Sequence, residues 1–245
     1  MKIRLDLYLV NHKLAETRTK AQALIMAGEV LVNGQSIDKP GTNIQEDSDV
    51  LIKEKFPYVS RGATKLEKAF YEFGLDFENK TICDTGSSTG GFTDFSLQHG
   101  AKIVFAIDVG RGQLDQKIRE DNRVVVMEKT DFRKVASLPE EIDYYLCDVS
   151  FISLKKILPH IKELVANSKQ RKAQIIALIK PQFEAGAKEV SQGKGIIKSE
   201  QKRLEIVEEI KIFAQDIGFE ILGLTESPIL GAKGNKEYLL YLSIH

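Results

Sequence analysis

Apolar residues recur at helical spacing through the first part of the chain and then in short extended runs. Residues 3–12 and 17–27 read as two short helices; in the second, Ala21, Leu24 and Ile25 share a face, with Thr17 as N-cap and Gly28 as stop. Strands follow over 29–32, 36–37 and 49–53, the first two joined by an Asn33-Gly34 turn. Pro57 interrupts regular structure, so residues 55–59 read as a linker between a module over 1–54 and a domain over 60–245. Its two aromatics, Phe56 and Tyr58, point to docking.

Beyond the linker, strands and helices alternate. Strands are expected over 81–84, 102–108, 123–127, 142–148 and 173–179, with helices over 91–99, 112–120, 153–166 and 200–217. Two strands, 219–225 and 238–244, close the chain. This order predicts an α/β fold, a doubly wound, mostly parallel Rossmann-like sheet, behind a small α+β module.

The chemistry gathers where these strands end. Residues 84–91, Asp-Thr-Gly-Ser-Ser-Thr-Gly-Gly, close an apolar strand and open a helix, the place where open α/β sheets bind nucleotide-like ligands. A pyrophosphate-binding turn reads G-x-G-x-x-G, whereas here Asp84 precedes glycines at 86, 90 and 91. That carboxylate repels an anion and welcomes a cation. S-adenosylmethionine (SAM), with an ammonium, a sulfonium and no phosphate, therefore suits the loop better than NAD. Asp108, ending the second strand, stands where a carboxylate reaches ribose hydroxyls. Asp131, after the third, reads equally as an acceptor for an adenine amine or as a surface aspartate. Asp84, Asp108 and Asp148 should converge at the strand-order reversal. Lys65, Asp148, Lys180 and Glu237 each border an apolar segment, and taken singly each also reads as an ordinary strand-end or helix-surface charge.

Composition narrows the partners. The formal net charge is zero, so any nucleic acid must be held by local clusters, such as Arg18, Lys20 and Gln22 on the second helix with Arg4 and Lys13 nearby. Cys83 and Cys147 sit in apolar runs and read as reduced core thiols, consistent with a cytoplasmic location. The amino terminus mixes charges into its apolar positions, unlike a signal peptide, and apolar runs such as 175–179 are too short to span a bilayer.

Three segments carry a family resemblance. Arg4-Leu-Asp6, Thr17-Arg-Thr-Lys-Ala-Gln22 and Gly28-Glu-Val-Leu-Val-Asn-Gly34 resemble the S4 RNA-binding domain, which implies that Arg18, Lys20, Gln22 and Arg4 face RNA. The order Lys65, Asp148, Lys180, Glu237 around the glycine loop resembles the catalytic tetrad of FtsJ-type ribose 2′-O-methyltransferases. The strings V-S-R-G-x-x-K-L, D-x-G-x-S-T-G-G-F-T, D-V-G-x-G-Q-L, D-V-S-F-I-S-L, I-K-P-Q-F-E and K-G-N-x-E-Y resemble the TlyA family, also labelled hemolysin A, along essentially the whole chain. That resemblance implies SAM-dependent methylation of a cytidine ribose in ribosomal RNA. It carries catalytic roles to the four tetrad residues and cofactor contact to Asp84, Gly86, Ser88, Gly90, Phe92 and Asp108; separately, Arg61 and Lys65 at the catalytic mouth are expected to assist the amino-terminal charges in holding RNA. Two positions depart from the family pattern, Thr64 in place of an aromatic and Asp131 in place of Asn. A cytolysin is disfavoured by the lack of an amphipathic or spanning membrane segment, and a purely RNA-binding protein by the intact tetrad. Methylation of a base would call for a nucleophile or amide-recognition motif that Asp148-Val-Ser-Phe does not offer.

Overall fold

The structure, a computed structural model, describes residues 2–53, 56–186, 193 and 195–245. The chain divides into two compact units, Met1–Pro57 and Tyr58–His245.

In the first unit, strand β1 (Lys2–Arg4) precedes helix α1 (Leu5–Asn11), so the helix expected from residue 3 begins two residues later. The cause is pairing: β1 forms an antiparallel ladder with β4 (Asn43–Gln45), a strand with no clear signal in the sequence. Helix α2 (Arg18–Met26) starts as expected, with the Thr17 hydroxyl accepting the Lys20 N–H at 3.2 Å. Strand β2 (Val30–Val32) pairs with β3 (Gln35–Ile37) and with β5 (Val50–Ile52). Asn33 and Gly34 both take positive φ, the geometry of a tight type I′ hairpin. Leu5, Leu9, Ala21, Ile25 and Val30 are fully buried beneath the two helices.

The second unit is built on a seven-stranded sheet. Helix α3 (Ala63–Phe73) leads into β6 (Thr81–Thr85), α4 (Gly91–Gln98), β7 (Ile103–Ile107), the single turn α5 (Gln116–Arg119) and β8 (Val124–Met127). Then come β9 (Tyr144–Cys147), α6 (Leu158–Asn167), β10 (Ala173–Ile179), the short α7 (Pro181–Glu184), α8 (Glu200–Asp216), β11 (Glu220–Glu226) and β12 (Tyr238–Ile244). The strand order is β11-β12-β10-β9-β6-β7-β8, with β12 antiparallel to both neighbours and the other pairings parallel. Consecutive residues of β6 feed opposite faces: Ile82 packs with α3 and α4, Cys83 with the layer that includes α6. A sheet covered on both sides must read this way, as continuous apolar strands.

Helical elements of the second unit differ from expectation. Residues 112–120 form only one turn, capped by Asp115, and residues 153–166 divide into a 3₁₀ turn (Leu154–Lys156) followed by α6. Pro159 near the amino end of α6 helps to set that break, because a proline belongs in a first turn. Helix α3, which the sequence pattern did not announce, buries Ala63, Leu66 and Ala69 on one face and stops at Gly74. Of the expected linker, residue 55 lies outside the described residues. Tyr58 is docked as anticipated, its ring 5.5 Å from that of Phe95 and its hydroxyl donating to Glu67 at 2.9 Å.

Candidate active site

The strand order reverses between β6 and β9, and the rim there is cut by two neighbouring cavities of about 340 and 640 Å³. Gly86, Ser88, Asp148, Ser150 and Phe151 line both, so a ligand in one abuts a ligand in the other.

The cofactor loop follows from β6. Asp84 at its end is fully buried; its Oδ2 accepts the Thr93 hydroxyl at 2.6 Å, while Oδ1 has no hydrogen-bond partner among the described residues. Burial, aided by the charges of Asp148 and Asp108 and opposed by the Thr93 hydrogen bonds, pushes its carboxyl up to about 7. Gly86 turns the chain away with φ of 84°, and a Cβ there would sit 2.8 Å from the Asp148 carbonyl oxygen, so the loop and the end of β9 can approach only with glycine. Ser88, also at positive φ, donates its N–H to Asp108 Oδ2 at 2.9 Å, and Gly110 donates to Oδ1 at 2.7 Å. Asp108 is thereby aimed into the larger cavity with lone pairs to spare. Phe92 lines the smaller cavity, whereas Gly90 lines neither and faces Leu114 and Ile118. Asp131 does reach the larger cavity, but both its oxygens are already held by the Arg133 guanidinium, at 2.9 and 2.6 Å, which keeps its carboxyl below the usual range. These residues fit SAM: an unpartnered buried carboxylate oxygen at a cation's place, and a second carboxylate oriented for hydroxyls.

The four remaining charges meet in the smaller cavity. Lys65 from α3 reaches Glu237 Oε2 at 2.8 Å and Asp148 Oδ2 at 3.5 Å, and Lys180, just past β10, reaches Asp148 Oδ1 at 2.6 Å. All line the same cavity, and Lys65, Lys180 and Glu237 are buried. Burial alone would lower the Lys65 pKa, but the carboxylates of Asp148 and Glu237 outweigh it and the net shift is upward. Antiparallel β12 explains the meeting of distant residues: Tyr238 pairs with Ile179, so the residue before β12 and the residue after β10 leave the sheet together.

Several participants carry no sequence signal of their own. Ser150 accepts from Lys180 at 2.8 Å, and Gln182 donates to Glu237 Oε1 at 3.3 Å. Asp94, buried on α4, accepts the Val59 N–H at 2.8 Å and so holds the segment ahead of α3, where Ser60 and Gly62 line the cavity and Arg61 stands exposed beside them. Glu184 accepts the Leu154 N–H at 2.8 Å and the Ser153 hydroxyl, tying the loop after β9 to α7; its burial raises its pKa. On that loop Phe151 is 91% exposed at φ of 62°, with its ring 4.9 Å from that of Phe183. A bulky residue in the left-handed region is strained, and among the described residues only the ring contact with Phe183 offsets it.

In the first unit, Arg4, Arg18 and Gln22 converge on one buried carboxylate, Asp6. Hydrogen bonds from Arg4, and then from Gln22 and Arg18, hold its pKa well below the usual range in spite of its burial. Lys20 does not join them; it pairs with Glu16 one turn back on the exposed surface.

Residues 58–244 match the sequence family of FtsJ-like methyltransferases, and residues 3–61 match the S4 domain. Hemolysin A of Brachyspira hyodysenteriae is 44% identical, spanning 99% of this chain and 100% of that protein. The 16S/23S rRNA (cytidine-2′-O)-methyltransferase TlyA of Mycobacterium tuberculosis is 38% identical over 98% of this chain and 89% of its own. A solved Streptococcus thermophilus structure named for the hemolysins is 42% identical, with a TM-score of 0.72 over 99% of this chain and 88% of that one.

Proposed function

Since the chain belongs to the FtsJ-like methyltransferase family and carries an S4 domain ahead of that fold, we propose that it methylates ribosomal RNA at a ribose 2′-hydroxyl, with SAM as donor and cytidine as target. The observation that carries this reading is the buried Lys65–Asp148–Lys180–Glu237 network beside a carboxylate-lined cavity. When bound, SAM supplies an electrophilic methyl carbon. Asp84 and Asp108 would hold its ammonium and its ribose, and Gly86 and Ser88 its backbone-facing side.

The chain's own residues then have two tasks. The first is to bring a ribose oxygen in line, since positioning supplies much of the acceleration in such a transfer. The exposed Phe151 ring, at the junction of the two cavities and paired with Phe183, is suited to stack on an unstacked nucleobase. The second is to manage the hydroxyl proton. Lys180 is the group for it: its Nζ is ion-paired with Asp148 Oδ1 at 2.6 Å and donates to Ser150 at 2.8 Å, so a proton arriving there, or an alkoxide forming beside it, meets charged and polar neighbours. Lys65 and Glu237 keep Asp148 oriented, and Gln182 steadies Glu237.

Among the described residues no helix is long and apolar enough to cross a membrane. The test is to incubate the protein with labelled SAM and separate unmethylated small and large ribosomal subunits, then map the product by mass spectrometry. A 2′-O-methylcytidine is expected. Label on a base, or on neither subunit, would overturn the proposal.

A further inference from the structure

The cluster around Asp6 combines a hidden anion with displayed cations. The Asp6 carboxylate is 0% exposed, yet the arginines it holds are 44% and 52% exposed. Arg4 donates from Nε to Oδ1 and from Nη2 to Oδ2; Arg18 donates from Nε alone to Oδ2; Gln22 donates from Nε2 to Oδ2; all four distances are 3.0 Å. Arg18 therefore keeps both terminal nitrogens for something outside, since no other hydrogen bond or ion pair engages them among the described residues. Arg4 lies with its guanidinium along the backbone at Gly41 and keeps Nη1. Three side chains from β1 and α2 are thus locked by one from α1.

We infer that Asp6 is a positioning residue for RNA: it clamps Arg4, Arg18 and Gln22 into one fixed donor array that takes the phosphate oxygens of a folded RNA. The inference rests on the reading that this unit binds RNA. Its physical basis is that an arginine anchored through Nε has its outward fork preset, so less side-chain freedom is lost when a phosphate arrives. Lys20 offers the contrast, an exposed ammonium paired with the exposed Glu16 and not with Asp6.

Charge and geometry disagree here in sign, and that makes the idea testable. Asp6 cancels one of the two arginine charges, so if charge alone mattered, Asp6→Asn would tighten RNA binding and steepen its salt dependence. A clamp requires the opposite. The full chain is titrated against in vitro transcribed ribosomal RNA by filter binding across a salt series, with melting followed in parallel. Expected is a loss of affinity of about tenfold for Asp6→Asn in spite of the removed negative charge, and nearly the same loss for Arg18→Lys, which keeps the charge but not the fork. Lys20→Ala is expected to change affinity much less than Arg18→Ala. Because Asp6 is buried, Asp6→Asn is decisive only if it melts as a folded protein; if it does not, Arg18→Lys at unchanged melting decides. Wild-type or tighter binding by Arg18→Lys, or by a folded Asp6→Asn, overturns the clamp. Arg18→Ala with unaltered binding overturns instead the underlying reading that this unit holds RNA.

Discussion

Asp6 and Asp84 are both fully buried aspartates, one in each unit, and the protein treats them in opposite ways. Asp6 receives four hydrogen bonds from three side chains of its own unit, two of them cationic, and its pKa is driven far down. Asp84 receives the Thr93 hydroxyl on one oxygen, has no partner for the other among the described residues, and has its pKa pushed up to about 7. A buried carboxylate is costly unless cations or donors meet it. Where the chain supplies them itself, the charge organises other side chains. Where the chain withholds them, the carboxylate keeps an oxygen without a partner among the described residues, the feature on which the proposed cofactor contact rests.

The strongest test of this contrast lies next to Asp84. Lys180→Ala is expected to lower methyl transfer by about 10²–10⁴-fold, the range of a lost proton-handling group, while SAM affinity measured by calorimetry stays near wild type. If affinity falls in parallel, the division between Asp84 as cofactor anchor and Lys180 as reaction residue is wrong.

Next in size is the neutral isostere at each aspartate. Asp84→Asn should weaken SAM binding by roughly 1–3 kcal/mol, the worth of a hydrogen bond to a charged group, yet leave melting unchanged or raised because a half-satisfied buried charge is gone. Asp6→Asn should do the reverse, lowering the stability of the first unit by about 1–3 kcal/mol without altering SAM affinity. Equal losses of stability in both variants would erase the distinction.

The smallest effects are in pH, and they too have opposite signs. The raised pKa of Asp84 means that its contribution to stability is fully present below its ordinary value of 3.8 and is lost as pH rises through about 7. Over that interval SAM should bind more tightly as the carboxylate ionises. Asp6, with a depressed pKa, contributes stability that is present above 3.8 and is lost as pH falls through its lower folded value. Calorimetric titrations between about pH 4 and pH 8 and melting curves between about pH 2 and pH 8, compared with the two Asn variants, would reveal a SAM affinity indifferent to pH if Asp84 does not meet the cofactor's ammonium.

Much of this could be read from the chain because it is written in local patterns. Continuous apolar runs ending in aspartate mark parallel strands whose ends point at a ligand, and Asp84, Asp108 and Asp148 do gather at the reversal between β6 and β9. Helix α3 was masked by charges: Lys65, Glu67, Lys68 and Glu72 break up the stripe of Ala63, Leu66 and Ala69, although the spacing is helical. Ser150 and Gln182 were illegible for another reason, since a polar residue in a loop has no period, and only the arrival of Lys180 or Glu237 reveals its use. Asp6 looked like any acid in the first turn of a helix. Arg4 is its near neighbour in sequence, but its partners at 18 and 22 are brought to it by the packing of α1 and α2.

The antiparallel β12 has a consequence for how the four-charge cluster is kept together. Side chains alternate across a strand, so moving β12 by one residue along β10 would swing Glu237 to the other face of the sheet and leave Lys65 facing Asp148 alone. Strand register is in this way a setting of the charge network, as discrete as a gear tooth. The one irregularity in the β12 ladders, the shift between Ile221 and Gly223, falls on the outer pairing with β11. The inner ladder runs unbroken from Ala173 opposite Ile244 to Ile179 opposite Tyr238, so slack at the edge of the sheet is absorbed before it reaches Glu237.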